Sequence, residues 1–224
     1  EIKKYNLIYN LCLTNINPIL YFNLSNLKRY LNKFNGKKVI NVNYIDKSFA
    51  ENFVSEHFKD FEGIDFYYTN NNESNGWYEL KPFMDKLMPS VYSLQDNEYT
   101  FYGHTKGVTR YNHSTEFVCL LWAHTMYSKN LDDFDYISKI LKNYACCGTF
   151  KLNRPFTALS FVPWHYSGAF FWFNNKSIFS RDWKKFYPSV YGLEGYLATH
   201  CSTDEAFSIP PELPFGYEDI YSKS

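Results

Sequence analysis

Two rhythms of apolar and polar positions alternate along this chain. Leu7–Leu13 is an almost unbroken apolar run of strand length and predicts a buried strand. Leu24, Leu27, Leu31 and Phe34 then recur at helical spacing, which predicts a helix over Leu24–Phe34 with Asn23 and Ser25 as caps and Gly36 closing it. Lys38–Ile45 carries Val39, Ile40, Val42 and Tyr44 and reads as a second strand, followed by a short helix over Ala50–Phe58 and a third strand over Ile64–Thr69. Asn70–Gly76 is a polar turn cluster. Trp77–Val91 reads as a helix that must take Pro82 in its first turn. Glu98–Tyr102 makes a fourth strand, and Glu116–Ser128 and Asp132–Tyr144 two more helices. Asp132 and Asp133 suit the positive end of the second of these.

Strand and helix patterns in turn imply an α/β fold with a mostly parallel sheet and helices on both faces. Ligands then gather beyond the carboxyl ends of the strands, near Thr14, Asp46, Asn70 and His104. After Phe150 the texture changes. Leu159–Val162 is apolar, Pro163–Gly168 is a polar turn, Ala169–Phe173 is apolar again, and Tyr191–Thr199 predicts a final helix. The last residues, 208–224, hold Pro210, Pro211 and Pro214 and read as an extended arm. With no repeat and no linker, residues 1–224 make a single domain.

Composition narrows the function. The 23 basic and 23 acidic side chains cancel, so the basic excess of a nucleic-acid binder is missing. No apolar stretch reaches about 18 residues, which leaves no membrane-spanning helix. The opening Glu1-Ile2-Lys3-Lys4 is not a secretory leader, so the expected location is the cytoplasm. Asn-x-Ser patterns at Asn23, Asn72, Asn112 and Asn175 therefore read as chance. The five cysteines lack any Cys-x-x-Cys pair, so they are read as reduced thiols and not as a zinc site. Aromatic residues reach 21%, part of which AT-rich coding explains; that bias suggests a viral or phage source. Their planar faces suit sugar rings and bases as well as cores.

Three clusters carry candidate chemistry. Gly103-His104-Thr105-Lys106-Gly107 leaves the fourth strand with glycines on both sides, where backbone can approach a ligand and His104 and Lys106 can meet phosphate oxygens. It lacks the spacing of a nucleoside-triphosphatase phosphate loop, and its bland reading is a solvated turn. Trp164-His165-Tyr166-Ser167-Gly168 precedes the aromatic run Phe170–Phe173, so its backbone can press on a sugar while rings flank it; Phe170–Phe173 themselves read as core. Glu194, between Gly192 and Gly195 at the opening of the last helix, can be a general base or simply a cap. His200 is a weaker candidate metal ligand, and Asp133-Phe134-Asp135 looks like an Asp-x-Asp metal motif but sits where a helix needs caps.

At these residues the chain resembles a group of small glycosyltransferases of bacteria and viruses. These carry a His-Thr/Ser-Lys-Gly segment and a His-x-Ser-Gly-Asn-Phe-Trp-Trp segment, followed by Arg and Glu. The likeness runs over roughly residues 5–205, with Ala169 in place of the usual Asn and Phe171 in place of Trp. It implies a GT-A-like, Rossmann-type domain whose nucleotide half is 1–110 and whose sugar and acceptor half is 111–207. The implied reaction moves a sugar from a nucleotide donor, UDP-sugar first, to a glycan or other hydroxyl acceptor. On this reading Thr14, Asn15, Asp46 and Asn70 line the nucleoside, and His104, Lys106 and Gly107 hold the diphosphate. Trp164, His165, Ser167 and Gly168 contact the sugar, with Glu194 and Lys106 catalytic. Either Lys106 neutralises the leaving diphosphate or His104, with His200 as a second candidate, helps to hold Mn2+ or Mg2+. The rival reading is a non-catalytic carbohydrate-binding or scaffold protein on the same fold; a nucleotide-processing hydrolase is weaker, with no nucleophile or two-metal carboxylate cluster in view.

Overall fold

Strand β1 (Lys4–Cys12) sets the plan of the molecule, because its side chains alternate between two different interiors. Tyr5, Leu7, Tyr9 and Leu11 enter one apolar layer, while Ile8 enters the other, flanked on its own face by the buried Asn6 and Asn10. The computed structural model describes residues 2–73, 79–112, 116–153, 161–189 and 191–210. The other strands are β2 (Lys38–Tyr44), β3 (Ile64–Asn70), β4 (Glu98–His104), β5 (Cys146–Thr149), β6 (Lys151–Leu152), β7 (His165–Tyr166), β8 (Phe171–Asn174) and β9 (Ala206–Ile209). The helices are α1 (Pro18–Tyr30), α2 (Lys47–Phe58), α3 (Leu80–Pro82), α4 (Met88–Ser90), α5 (Glu116–Leu131), α6 (Phe134–Leu141), α7 (Asn175–Phe179) and α8 (Tyr196–His200).

The central sheet has seven strands in the order β3-β2-β1-β4-β8-β5-β9. β1 to β4 are mutually parallel, β9 is parallel to β5, and β8 alone runs against both its neighbours. Residues of α1, α2, α5 and α6 pack on one face, and those of α3, α4, α7 and α8 on the other. This is the α/β architecture expected from the sequence, a mostly parallel sheet between helical layers. β1, β2 and β3 proceed one way across the sheet and β4 returns to the opposite side of β1, so the order reverses between β1 and β4. At such a reversal the loops leaving the two strands diverge and open a crevice for a ligand.

Several boundaries correct the sequence reading. α1 begins at Pro18, six positions before the expected start. Asn17 caps it, accepting from the Ile19 and Leu20 N–H groups, and Pro18 fills a first-turn position where a missing N–H costs nothing. Asn23 is therefore inside the helix, and its amide is free to serve a neighbouring loop. α2 begins at Lys47, capped by Asp46. The helix expected over Trp77–Val91 is helical from Leu80, with a π turn over Phe83–Leu87; Trp77 and Tyr78 lie outside the described residues. The widened turn precedes Pro89, which has no N–H and would crowd the carbonyl four residues back in a regular helix. The final helix covers only Tyr196–His200; Tyr191–Gly195 are turns, since Gly192 and Gly195 weaken helix there. Ser208 and Ile209, expected in the arm, complete β9 beside Gly148 and Thr149, and residues 211–224 lie outside those described. Among the described residues no helix is long and apolar enough to cross a membrane.

Candidate functional site

The site grows from the carboxyl ends of β1 and β4, where the strand order reverses. Asn10 and His104 are partners in the β1–β4 register, and the chain beyond β4 stays fastened to β1. Thr105 N–H donates to the Asn10 carbonyl (3.1 Å), and Thr105 Oγ1 accepts from Cys12 N–H (2.9 Å). Thr105 is thus a buried splice between the strands. The next residue is held from the helical layer. Asn23 Nδ2 donates to the Lys106 carbonyl (3.0 Å) and Asn23 Oδ1 accepts from Lys106 N–H (3.1 Å), so one buried amide satisfies both backbone groups of Lys106. Tyr127 donates to the same Oδ1 (3.1 Å). With its backbone fixed, Lys106 lays its ammonium over the Trp122 ring, 5.3 Å from the centroid. Gly107 then turns left-handed at φ 78°, where an added Cβ would stand 2.8 Å from Cys119 Cβ on α5.

The second sequence cluster comes to the same place. β7 delivers His165, and the turn after it contains Gly168 and Ala169 at φ 87° and 53°. Phe150, whose carbonyl accepts from Ser167 N–H (3.0 Å), is also left-handed at φ 57°. Left-handed backbone is unusual for a residue carrying a Cβ, and two such positions, Phe150 and Ala169, around one turn mark a strained local structure. Gly168 is the point of convergence. Its carbonyl accepts from His104 Nε2 (2.9 Å), its N–H donates to Glu194 Oε1 (3.2 Å), and a Cβ on it would stand 3.5 Å from Lys106 Cε. Segments separated by 64 residues (His104 to Gly168) and by 26 (Gly168 to Glu194) therefore meet at one glycine.

The electrostatics are those of a half-buried polar cluster. His165 is almost fully buried, and its Nδ1 has no hydrogen-bond partner among the described residues. Burial holds its imidazole below the ordinary 6.5, with the Glu194 carboxylate pulling the other way. The ring is therefore favoured in its neutral form. His104 is engaged at both nitrogens, through Nδ1 with Glu79 Oε1 (2.8 Å) and through Nε2 with Gly168.

The other sequence candidates are placed as follows. Thr14 follows β1 and pairs its hydroxyl with Cys12 Sγ (3.1 Å); Asn15 is exposed beside it. Asp46 caps α2 through Phe49 N–H (3.0 Å), and Asn70 accepts from Asn72 N–H (3.0 Å) at the end of β3. All four stand at the carboxyl ends of β1, β2 and β3. Trp164 corrects an expectation: it has no exposed surface, donates its indole N–H to the Cys201 carbonyl (3.0 Å), and packs in the core, so its ring is not a stacking face for a sugar. His200 lies in a separate cluster, packed on Tyr196 at 4.8 Å, with Arg181 on its carbonyl and burial lowering its pKa. Among the described residues no group of three His, Cys, Asp or Glu side chains stands ready to hold a metal ion. The Asp-x-Asp stretch is occupied otherwise, since Asp133 caps α6 and the neighbouring Asp132 accepts from Tyr30 Oη (2.6 Å).

Sequence reasoning missed Glu79, Asn23 and a row of buried amides on the sheet. Asn10, Asn41 and Asn43 hydrogen-bond in series, and Thr69 donates to Asn41 Oδ1 (2.8 Å). The signal for the amides was asparagines an even number of positions apart in otherwise apolar strands, Asn6 with Asn10 and Asn41 with Asn43, which puts each pair on one face.

No protein-family model matches the sequence, and no curated protein matches it. The structure is similar to the crystal structure of 4-diphosphocytidyl-2C-methyl-D-erythritol synthase, with a TM-score of 0.47 and 10% identity over 99% of this chain and 98% of that one.

Proposed function

We propose that this chain is a glycosyltransferase that moves a sugar from a nucleotide-sugar donor, UDP-sugar first, to a hydroxyl of a glycan or other acceptor. The observation that carries this reading is the meeting of His104, Lys106, Glu194 and the His165–Ala169 turn around Gly168, at the strand-order reversal. On this reading residues 1–110 supply the nucleotide side, with Thr14, Asn15, Asp46, Asn70 and Gly107 along the strand ends. Residues 111–207 supply the sugar and acceptor side, with His165, Ser167 and Gly168 against the sugar.

The chemistry follows from charge. A glycosyl transfer breaks the bond between the anomeric carbon and the diphosphate oxygen, and the electron pair leaves with the diphosphate. Lys106 supplies a point charge for that developing anion. In an inverting course Glu194 takes the proton of the acceptor hydroxyl as its oxygen bonds to the anomeric carbon. The Gly168 N–H fixes one carboxylate oxygen, and the other is the one for the acceptor.

Thermal unfolding in the presence of UDP, GDP, CMP or ADP, each with manganese and with a chelator, tests the reading. One nucleotide at about 100 times its dissociation constant should add roughly 2.7 kcal/mol. A chain whose transition moves with no nucleotide, but which binds glycans, is a carbohydrate-binding module and not a transferase.

A further inference from the structure

Glu79 belongs to none of the sequence motifs, yet its carboxylate contacts a residue of the site directly. It lies 2.8 Å from His104 Nδ1, on the side of the ring away from Gly168. Proton counting fixes what the imidazole does. The Gly168 carbonyl can only accept, so Nε2, 2.9 Å away, carries a proton. One further proton lies between Nδ1 and Glu79, and the contact holds whichever atom carries it. Tyr102 stacks on the ring (16° between planes, centroids 6.2 Å) and Phe170 closes on it at 5.4 Å, so the imidazole has little room to swing. Asn10 steadies the far end, donating to the Glu79 carbonyl (3.2 Å) and to Tyr102 Oη (3.1 Å).

Gly168 is thereby held by both of its backbone groups, the carbonyl by His104 and the N–H by Glu194. It needs holding. A glycine at φ 87° has no side chain to pack, and among residue types glycine has the most backbone freedom to lose. We propose that Glu79 is a positioning residue of this site: acting through His104, it anchors the Gly168 carbonyl and so keeps the Gly168 N–H against Glu194. The proposal deepens the transferase reading and rests on it only for what Glu194 does once held.

Amide hydrogen exchange at Gly168, followed by NMR in the unliganded protein, reads the anchor directly. Glu79→Ala should speed exchange at Gly168 by about tenfold, the scale of one lost charge-assisted bond. The Leu7 amide in β1, which donates to the Lys37 carbonyl, should stay as in wild type and so exclude global loosening. Glu79→Gln should restore protection, because its amide can donate to Nδ1 and leave the Nε2 proton on Gly168. His104→Ala should match Glu79→Ala, and the double variant should be no worse than His104→Ala alone, as expected when one residue acts through the other. Wild-type protection in Glu79→Ala, or additive effects in the double variant, overturns the proposal. Titration with UDP and UDP-glucose separates the two claims. Glu79→Ala should weaken UDP-glucose about tenfold and leave UDP unchanged. If wild type binds neither nucleotide, the transferase reading fails while the exchange result still decides the anchor.

Discussion

At the scale of single residues the turn around Gly168 separates positions that must be small from positions that merely are. Gly168 adopts φ 87°, and a Cβ there would come within 2.2 Å of Met126 Cε. Gly168→Ala should cost about 1–2 kcal/mol from the backbone, with overpacking adding roughly 1–3 kcal/mol. Because Met126 is itself fully buried, the packing part is read as a difference: Gly168→Ala should cost less in a Met126→Ala background than in wild type, with the backbone part remaining, and urea unfolding of the two single variants and the double checks both. Ala169 looks similar at φ 53° but should behave differently. Ala169→Gly would relieve about 1–2 kcal/mol of strain. It would also forfeit about 0.8 kcal/mol of buried methyl and about 0.5–1 kcal/mol of chain entropy. The terms nearly cancel, and the variant should unfold within about 0.5 kcal/mol of wild type. The Gly168 position was legible in the sequence as a glycine after a polar turn. The left-handed Phe150 was not, because nothing about a phenylalanine announces a conformation that its neighbours impose.

At the scale of elements, short hydrogen-bonded caps decide where pieces begin and how they join. Asn23 sits inside α1 yet serves the loop after β4. Asn23→Ala would leave both backbone groups of Lys106 without their partner. Each group left unpaired costs about 1–3 kcal/mol where it is buried, so the variant should lose stability throughout the domain and expose the Lys106 loop to proteolysis first. A second join lies around β9. Ser202 and Glu205 form a capping box, and Arg181 donates to Glu205 Oε2 (3.2 Å) and Oε1 (2.5 Å) while also reaching the His200 carbonyl. The Arg181 hydrogen bond and the Ser202 N–H hold the Glu205 carboxyl at about 2, below its ordinary 4.5. A lowered carboxyl pKa adds stability above 4.5 that is lost as pH falls from 4.5 towards 2. Because Glu205 is 41% exposed, solvent screening should keep the effect to about 1 kcal/mol or less. Glu205→Gln should flatten the stability–pH curve between those limits, lowering stability at neutral pH by about 1 kcal/mol or less and changing it little near pH 2. The strands β1 to β4 were legible because each alternates or runs apolar over five residues or more. β5 and β9 were not: at four residues each they carry too little pattern, and Cys146-Cys147 reads as a pair of thiols before it reads as a strand.

At the scale of the whole molecule, the fold converts a sequence of separate motifs into one constellation. His104 and Lys106 were legible as a pair because glycines and a strand exit frame them, and His165 and Ser167 because a polar turn interrupts aromatic residues. That the two would meet was not legible, since it depends on β8 entering the sheet antiparallel beside β4 and swinging the preceding turn over the end of that strand. Glu79 was invisible for the same reason: its partner is 25 residues away, across the helical layer that covers the sheet. The arrangement also sets apart binding from chemistry at Lys106. Its backbone is fixed by Asn23 and its ammonium lies over Trp122. Removing the side chain therefore leaves the loop's backbone anchor in place and deletes a charge together with its contact on Trp122. If the transferase reading holds, that charge matters most when the diphosphate departs, and Lys106→Ala should raise the barrier by about 2–4 kcal/mol while changing nucleotide affinity far less. A turnover assay with UDP-sugar, paired with UDP titration of the same variant, measures both quantities. Unchanged turnover removes Lys106 from the mechanism. Equal losses in binding and turnover would make it a binding residue whose contribution is already complete before the sugar moves.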